Sequence, residues 1–101
     1  MKAFAICCTI LCFVVVPGAH AADAEAGKRL AQLRCAACHI VDQGPRNEIA
    51  DAPPFTVIGR KFDFNVDALI VALRGPHAKM NFSLSGRDAN DIAAYIVTLA
   101  R

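Results

Sequence analysis

Apolar residues recur along the middle and end of the chain at the three- and four-residue steps of a helix, and nowhere alternate as a strand would. Ala26, Leu30, Leu33 and Ala37 make the first such stripe. With Asp23 as N-cap and Glu25 near the positive end of the dipole, it predicts a helix over 23–37. Val66, Leu69, Ile70 and Leu73 predict a second helix over 66–74, capped by Asn65 and ended by Gly75. Ile92, Tyr95, Ile96 and Leu99 predict a third over 86–100, with Ser85 and Asp88 spaced as a capping box. Gln43-Gly44-Pro45 and Ala52-Pro53-Pro54 mark residues 40–54 as loop, and Gly75-Pro76 opens another that reaches Leu84. Residues 55–62 are expected to hold a short helical turn. With no repeat, low-complexity run or linker, the pattern describes one all-α domain.

The first residues break this pattern. Lys2 precedes an almost unbroken apolar run from Ala3 to Val16, shorter than the ~20 residues that a membrane-spanning helix uses. Pro17-Gly18 ends the run, and Ala19-His20-Ala21 supplies small residues at the positions a signal peptidase requires. Residues 1–21 therefore read as a secretory signal peptide, and 22–101 as the mature domain. Export would place the protein in the periplasm, without stable membrane insertion once the leader is cut. The rival reading is an uncleaved N-terminal anchor.

Composition matters mainly through what cleavage leaves. The chain has 101 residues, a formal charge of +2 and no tryptophan. It is too short for a (β/α)₈ barrel, which takes about 250 residues. It carries no strong basic field of the kind nucleic acid demands. Of five cysteines, Cys7, Cys8 and Cys12 leave with the signal peptide, and Cys35 and Cys38 remain. A domain this small has a thin core and often needs a disulfide, metal or cofactor as a staple.

Cys35-Ala36-Ala37-Cys38-His39 offers one. Two thiols three residues apart at a helix end lie on one side, where both can reach the two vinyl groups of a haem as thioethers. The following histidine is then held under the iron as proximal ligand. C-x-x-C-H is the sequence sign of covalent haem attachment. Other readings share the cysteines. A thioredoxin-like redox pair expects a preceding strand. A structural zinc site needs four ligands, and the candidates would be Cys35, Cys38, His39 and His77. A plain disulfide leaves His39 without a role.

With that pentad near the mature N-terminus, the chain resembles the class I c-type cytochromes, the small soluble monohaem proteins of bacteria. Gly27 lies before the pentad where that family often has a helix-crossing glycine. Asp91-Ile92-Ala93-Ala94-Tyr95-Ile96 is similar to the family's closing helix, and Ala52-Pro53-Pro54-Phe55 and Met80-Asn81-Phe82 to further segments. The resemblance covers nearly the whole mature chain. It implies a cytochrome c fold, three main helices plus short helical turns around one covalently bound haem c. It implies that Gly27 lets the first and last helices approach closely, with Ile92 and Tyr95 packed over it.

Axial ligation separates carrier from catalyst. Met80 is the only methionine left after cleavage, and it stands in the loop before the last helix, as the family's axial methionine does. A thioether stabilises ferrous iron and, with histidine, raises the potential. It also fills the last coordination site. His77 is a competing ligand, and Lys79 could displace Met80 at high pH. The resemblance further implies that His39 gives its second ring N–H to a carbonyl near a loop proline, with Pro53 the candidate and Pro54 and Pro45 behind it. Arg60 and Lys61 are candidate donors to the haem propionates. Leu30, Phe55, Ile58, Phe62, Leu69, Leu73 and Phe82 are expected to line the haem pocket. Arg34 and Lys79 are candidates for a charged rim that steers redox partner proteins into transient docking.

The expected function is a one-electron carrier, either a free shuttle or a small haem subunit of a dehydrogenase, reductase or oxidase, and not itself an enzyme. The alternative is a haem c enzyme or gas-binding sensor whose sixth site is labile.

Overall fold

A computed structural model describes residues 21–43, 51–77 and 80–100. The signal-peptide cleavage pattern up to His20, Pro45 and Lys79 lie outside them. Every regular element among the described residues is a helix, in keeping with the all-α fold expected from the sequence: α1 (Ala24–Arg34), α2 (Phe55–Lys61), α3 (Val66–Arg74) and α4 (Gly86–Thr98).

The caps act as the sequence proposes. The Asp23 carboxylate accepts from the N–H groups of Glu25 and Ala26 at 3.0 and 3.1 Å. Asn65 accepts from Ala68 at 2.9 Å and Ser85 from Asp88 at 3.0 Å. Each satisfies backbone donors that the first helical turn leaves unpaired. Residues 55–61 form a true helix of two turns rather than a single turn.

Helix α1 stops earlier than its apolar stripe suggests. Its last residue is Arg34, and residues 35–38 form a turn in which Ala36 donates back to Ala31 rather than continuing the ladder. The buried face also differs. Gly27 and Ala31 are the buried residues of α1, whereas Leu33 is 82% exposed and Ala37 lies at the surface. Small side chains face inward because α4 comes too close for large ones. A Cβ on Gly27 would land on the carbonyl of Asp91 and 2.9 Å from the amide nitrogen of Ile92. The nearest atoms at the crossing are thus α4 backbone, of Asp91 and Ile92. Beside it, the buried Asp91 carboxylate accepts from the Asp23 N–H at 2.8 Å and ties the start of α1 to α4.

Helix α4 is the centre of the core. Its predicted stripe, Ile92, Tyr95, Ile96 and Leu99, is buried throughout. Leu69 of α3 and Phe55 of α2 pack into the same cluster. Between α2 and α3 the chain turns through two left-handed residues, Asp63 (φ 52°) and Phe64 (φ 50°). Phe64 donates to Gly59 O at 2.8 Å and Asp63 to Arg60 O at 3.1 Å, the paired closure of a Schellman motif. A glycine at position 59 makes room for the Phe64 ring, on which a Cβ there would collide.

Candidate haem site

The pentad begins where α1 ends. Cys35 caps the helix by donating to Ala31 O at 2.9 Å, and both Cys38 and His39 donate back to Cys35 O, at 3.1 and 2.8 Å. One carbonyl thus organises the whole turn and keeps the two cysteines and the histidine together. Cys35 and Cys38 are free, half-buried thiols. Burial pushes the Cys35 thiol up, against a smaller lowering by the neighbouring Arg34 charge.

The segment after the pentad is pinned on two sides. From the proline loop, Ala52 donates to Cys38 O at 3.0 Å and Phe55 to Ile40 O at 2.9 Å. From α4, the Tyr95 hydroxyl donates to Val41 O at 2.6 Å in the core. Gln43 adds a side-chain bond to Leu99 O at 2.7 Å. Tyr95, expected only to pack between helices, also holds the backbone two residues beyond His39.

Within this frame His39 Nδ1 lies 2.6 Å from Pro53 O. A carbonyl can only accept, so Nδ1 donates in this contact, which leaves Nε2 as the nitrogen available to a metal in the neutral ring. The expected second bond of the histidine is therefore present, at the expected proline. The ring is also held by its faces. Phe55 tilts against it at 5.6 Å between centroids, and His77 stacks with it at 5.9 Å.

A cavity of about 590 Å³ opens beside the end of α3 and the loop that follows, in the size range of cofactor clefts. Met80 and His77 both line it, with Leu73, Phe82 and Leu84 as apolar wall and Arg74 as a cation. Met80 is half-buried there. Of the expected pocket residues, Leu73 and Phe82 line this cavity. Phe55 and Leu69 lie in the core, with Leu30, Ile58 and Phe62 packed against it, and Phe55 also meets the His39 ring. Arg60 and Lys61 are exposed and do not line it; the Lys61 ammonium lies over the Phe62 ring at 5.6 Å. One contact has no counterpart in the sequence reading. Arg34 places its guanidinium 5.2 Å from the centroid of Phe82. No pattern could pair them, since they belong to different elements far apart in the chain.

The donor set fits a covalently attached haem. It supplies two free thiols on one turn, an imidazole held through Nδ1, and a thioether lining a cavity whose wall includes the ring stacked on that imidazole. Among the described residues, no three His, Cys, Asp or Glu side chains are grouped as a metal ion alone would need, which leaves the zinc reading without a site.

Comparison with known proteins agrees. The cytochrome c family profile matches residues 24–100. Cytochrome c-552 of Bradyrhizobium diazoefficiens is 46% identical over 82 residues, covering 80% of this chain and 79% of that one. No solved structure matches the chain.

Proposed function

The chain belongs to the cytochrome c family of electron-carrying haem proteins, and from that premise we propose that it is an exported monohaem carrier with His39 and Met80 as axial ligands. Covalently bound haem c supplies the redox chemistry, a single-electron exchange at iron. In this reading Cys35 and Cys38 form the two thioethers. His39 would hold the iron through Nε2 and Met80 through its thioether sulfur.

The observation that carries the ligand assignment is the 2.6 Å contact from His39 Nδ1 to Pro53 O. It fixes the tautomer, orients the ring and strengthens Nε2 as a donor. The proline loop that provides this carbonyl is itself bonded to Cys38 and Ile40. These bonds hold the imidazole in one orientation, and a haem bound there would exchange electrons with little rearrangement around it. A methionine on the opposite side keeps small oxidants from the iron, and the pair of ligands favours a high potential.

Residues 1–21 act as the export signal and 22–101 as the periplasmic domain. None of the described helices is long and apolar enough to cross a membrane. Redox proteins dock transiently, guided by charges such as Arg34 beside the pentad.

A potentiometric titration of the exported protein tests this reading. The expected result is one reversible wave of a single electron, with no turnover of added hydrogen peroxide. Sustained peroxide consumption by the wild-type protein would replace the carrier with an enzyme.

A further inference from the structure

The chain from Gly75 to Ser85 has no helix among its described residues. Its internal support at Met80 is slight, a bond from the Met80 N–H to His77 O at 3.3 Å, beyond the usual range for such bonds. What fixes it comes from elsewhere. On one side of Met80, the His77 ring stacks on His39 with planes 25° apart. On the other, Phe82 lies under the Arg34 guanidinium, 5.2 Å from charge to ring centre. Leu84 then enters the core. Arg34 and His39 are the two residues that bracket the cysteine pair. Both ends of the haem-attachment turn thus grip the same loop, one on each side of Met80.

We propose that Arg34 is a positioning residue for Met80, acting through Phe82 to hold the thioether within reach of the iron. This rests on Met80 being the sixth ligand. For Met80 to leave the metal, the loop must swing out, and with Phe82 clamped that swing also separates the cation from the ring. A cation within about 6 Å of an aromatic face is attracted by the ring quadrupole. Arg34 is a good anchor because it ends α1, directly before a cysteine that is bonded to the haem. Removing its side chain leaves the thioether and the imidazole untouched and makes only the opening easier.

The test uses the oxidised haem-loaded protein and imidazole, a ligand kept uncharged by working above its own pKa. Imidazole displaces methionine, and the loss of the methionine-to-iron absorption band reports its affinity. Arg34→Ala and Phe82→Leu are each expected to bind imidazole about two- to fivefold more tightly, the range that an exposed cation–π contact allows. Arg34→Lys keeps a cation over the ring and is expected to restore most of the wild-type resistance. The double variant is expected to gain no more than the larger single one, because both changes remove one contact. Thermal unfolding of the same samples separates a general loss of structure, which lowers stability without a matching change in imidazole affinity. Unchanged affinity in Arg34→Ala, or full additivity in the double variant, overturns the clamp alone. A wild-type protein with no methionine band to displace overturns Met80 ligation and the clamp together.

Discussion

Replacing Gly27 by alanine sets two well-known effects against each other. In a helix interior alanine is favoured over glycine by about 1 kcal/mol, so propensity alone predicts a more stable protein. The crossing predicts the reverse. The new Cβ would sit on the Asp91 carbonyl and 2.9 Å from the Ile92 nitrogen, and neither can rotate away because both are backbone of α4. The helices must part. Overpacking of this kind costs about 1–3 kcal/mol, and contact with backbone belongs at the upper end. After subtracting the propensity gain, about 1–2 kcal/mol of net destabilisation remains. For a domain of this size that lowers the melting temperature by roughly 5–15 °C. Circular dichroism of the haem-loaded protein measures it. Parting the helices also strains the 2.8 Å bond from Asp23 N–H to the Asp91 carboxylate. Asp91→Ala should therefore cost less in the Gly27→Ala background than alone. A Gly27→Ala protein that melts at or above the wild-type temperature would refute the close crossing.

Three further outcomes are expected. Tyr95→Phe leaves the buried Val41 carbonyl without its donor and should cost about 1–3 kcal/mol in urea unfolding, while the haem spectrum stays unchanged; a neutral result would mean that the hydroxyl bond is not formed. Gly59→Ala pushes against the Phe64 ring, a side chain that can shift, so its loss of melting temperature should be smaller than that of Gly27→Ala; the reverse order would contradict the packing described. Met80→Ala should let carbon monoxide bind the reduced protein at neutral pH, whereas retention of the wild-type resistance would assign the sixth ligand elsewhere.

Features written in a few neighbouring residues were legible in the sequence. The caps at Asp23, Asn65 and Ser85 depend on one side-chain oxygen and an N–H two or three residues on, so local spacing suffices. The pentad is likewise local, and its turn folds around the single Cys35 carbonyl. The α4 stripe reads correctly because that helix is covered along its whole apolar face. The stripe of α1 misleads because its inward face is chosen by closeness to α4. That selects Gly27 and Ala31 and leaves Leu33 outside, though Leu33 is the more apolar side chain. The early end of α1 has the same kind of cause, since the turn at 35–38 serves the pentad and not helix propensity. The cation–π pair of Arg34 and Phe82 was out of reach, because nothing in either segment refers to the other. The left-handed pair Asp63-Phe64 was equally hidden, as a phenylalanine seldom adopts that backbone, and the pair is held by bonds to the Gly59 and Arg60 carbonyls and by the space above Gly59.

The most direct test of the haem assignment is the absorption spectrum of the exported protein, oxidised and reduced, with and without carbon monoxide. A low-spin haem c spectrum with the methionine-to-iron band when oxidised, unmoved by carbon monoxide when reduced, is the result predicted for an electron carrier ligated by His39 and Met80. Ready formation of a carbon monoxide complex by the wild-type protein at neutral pH would contradict it.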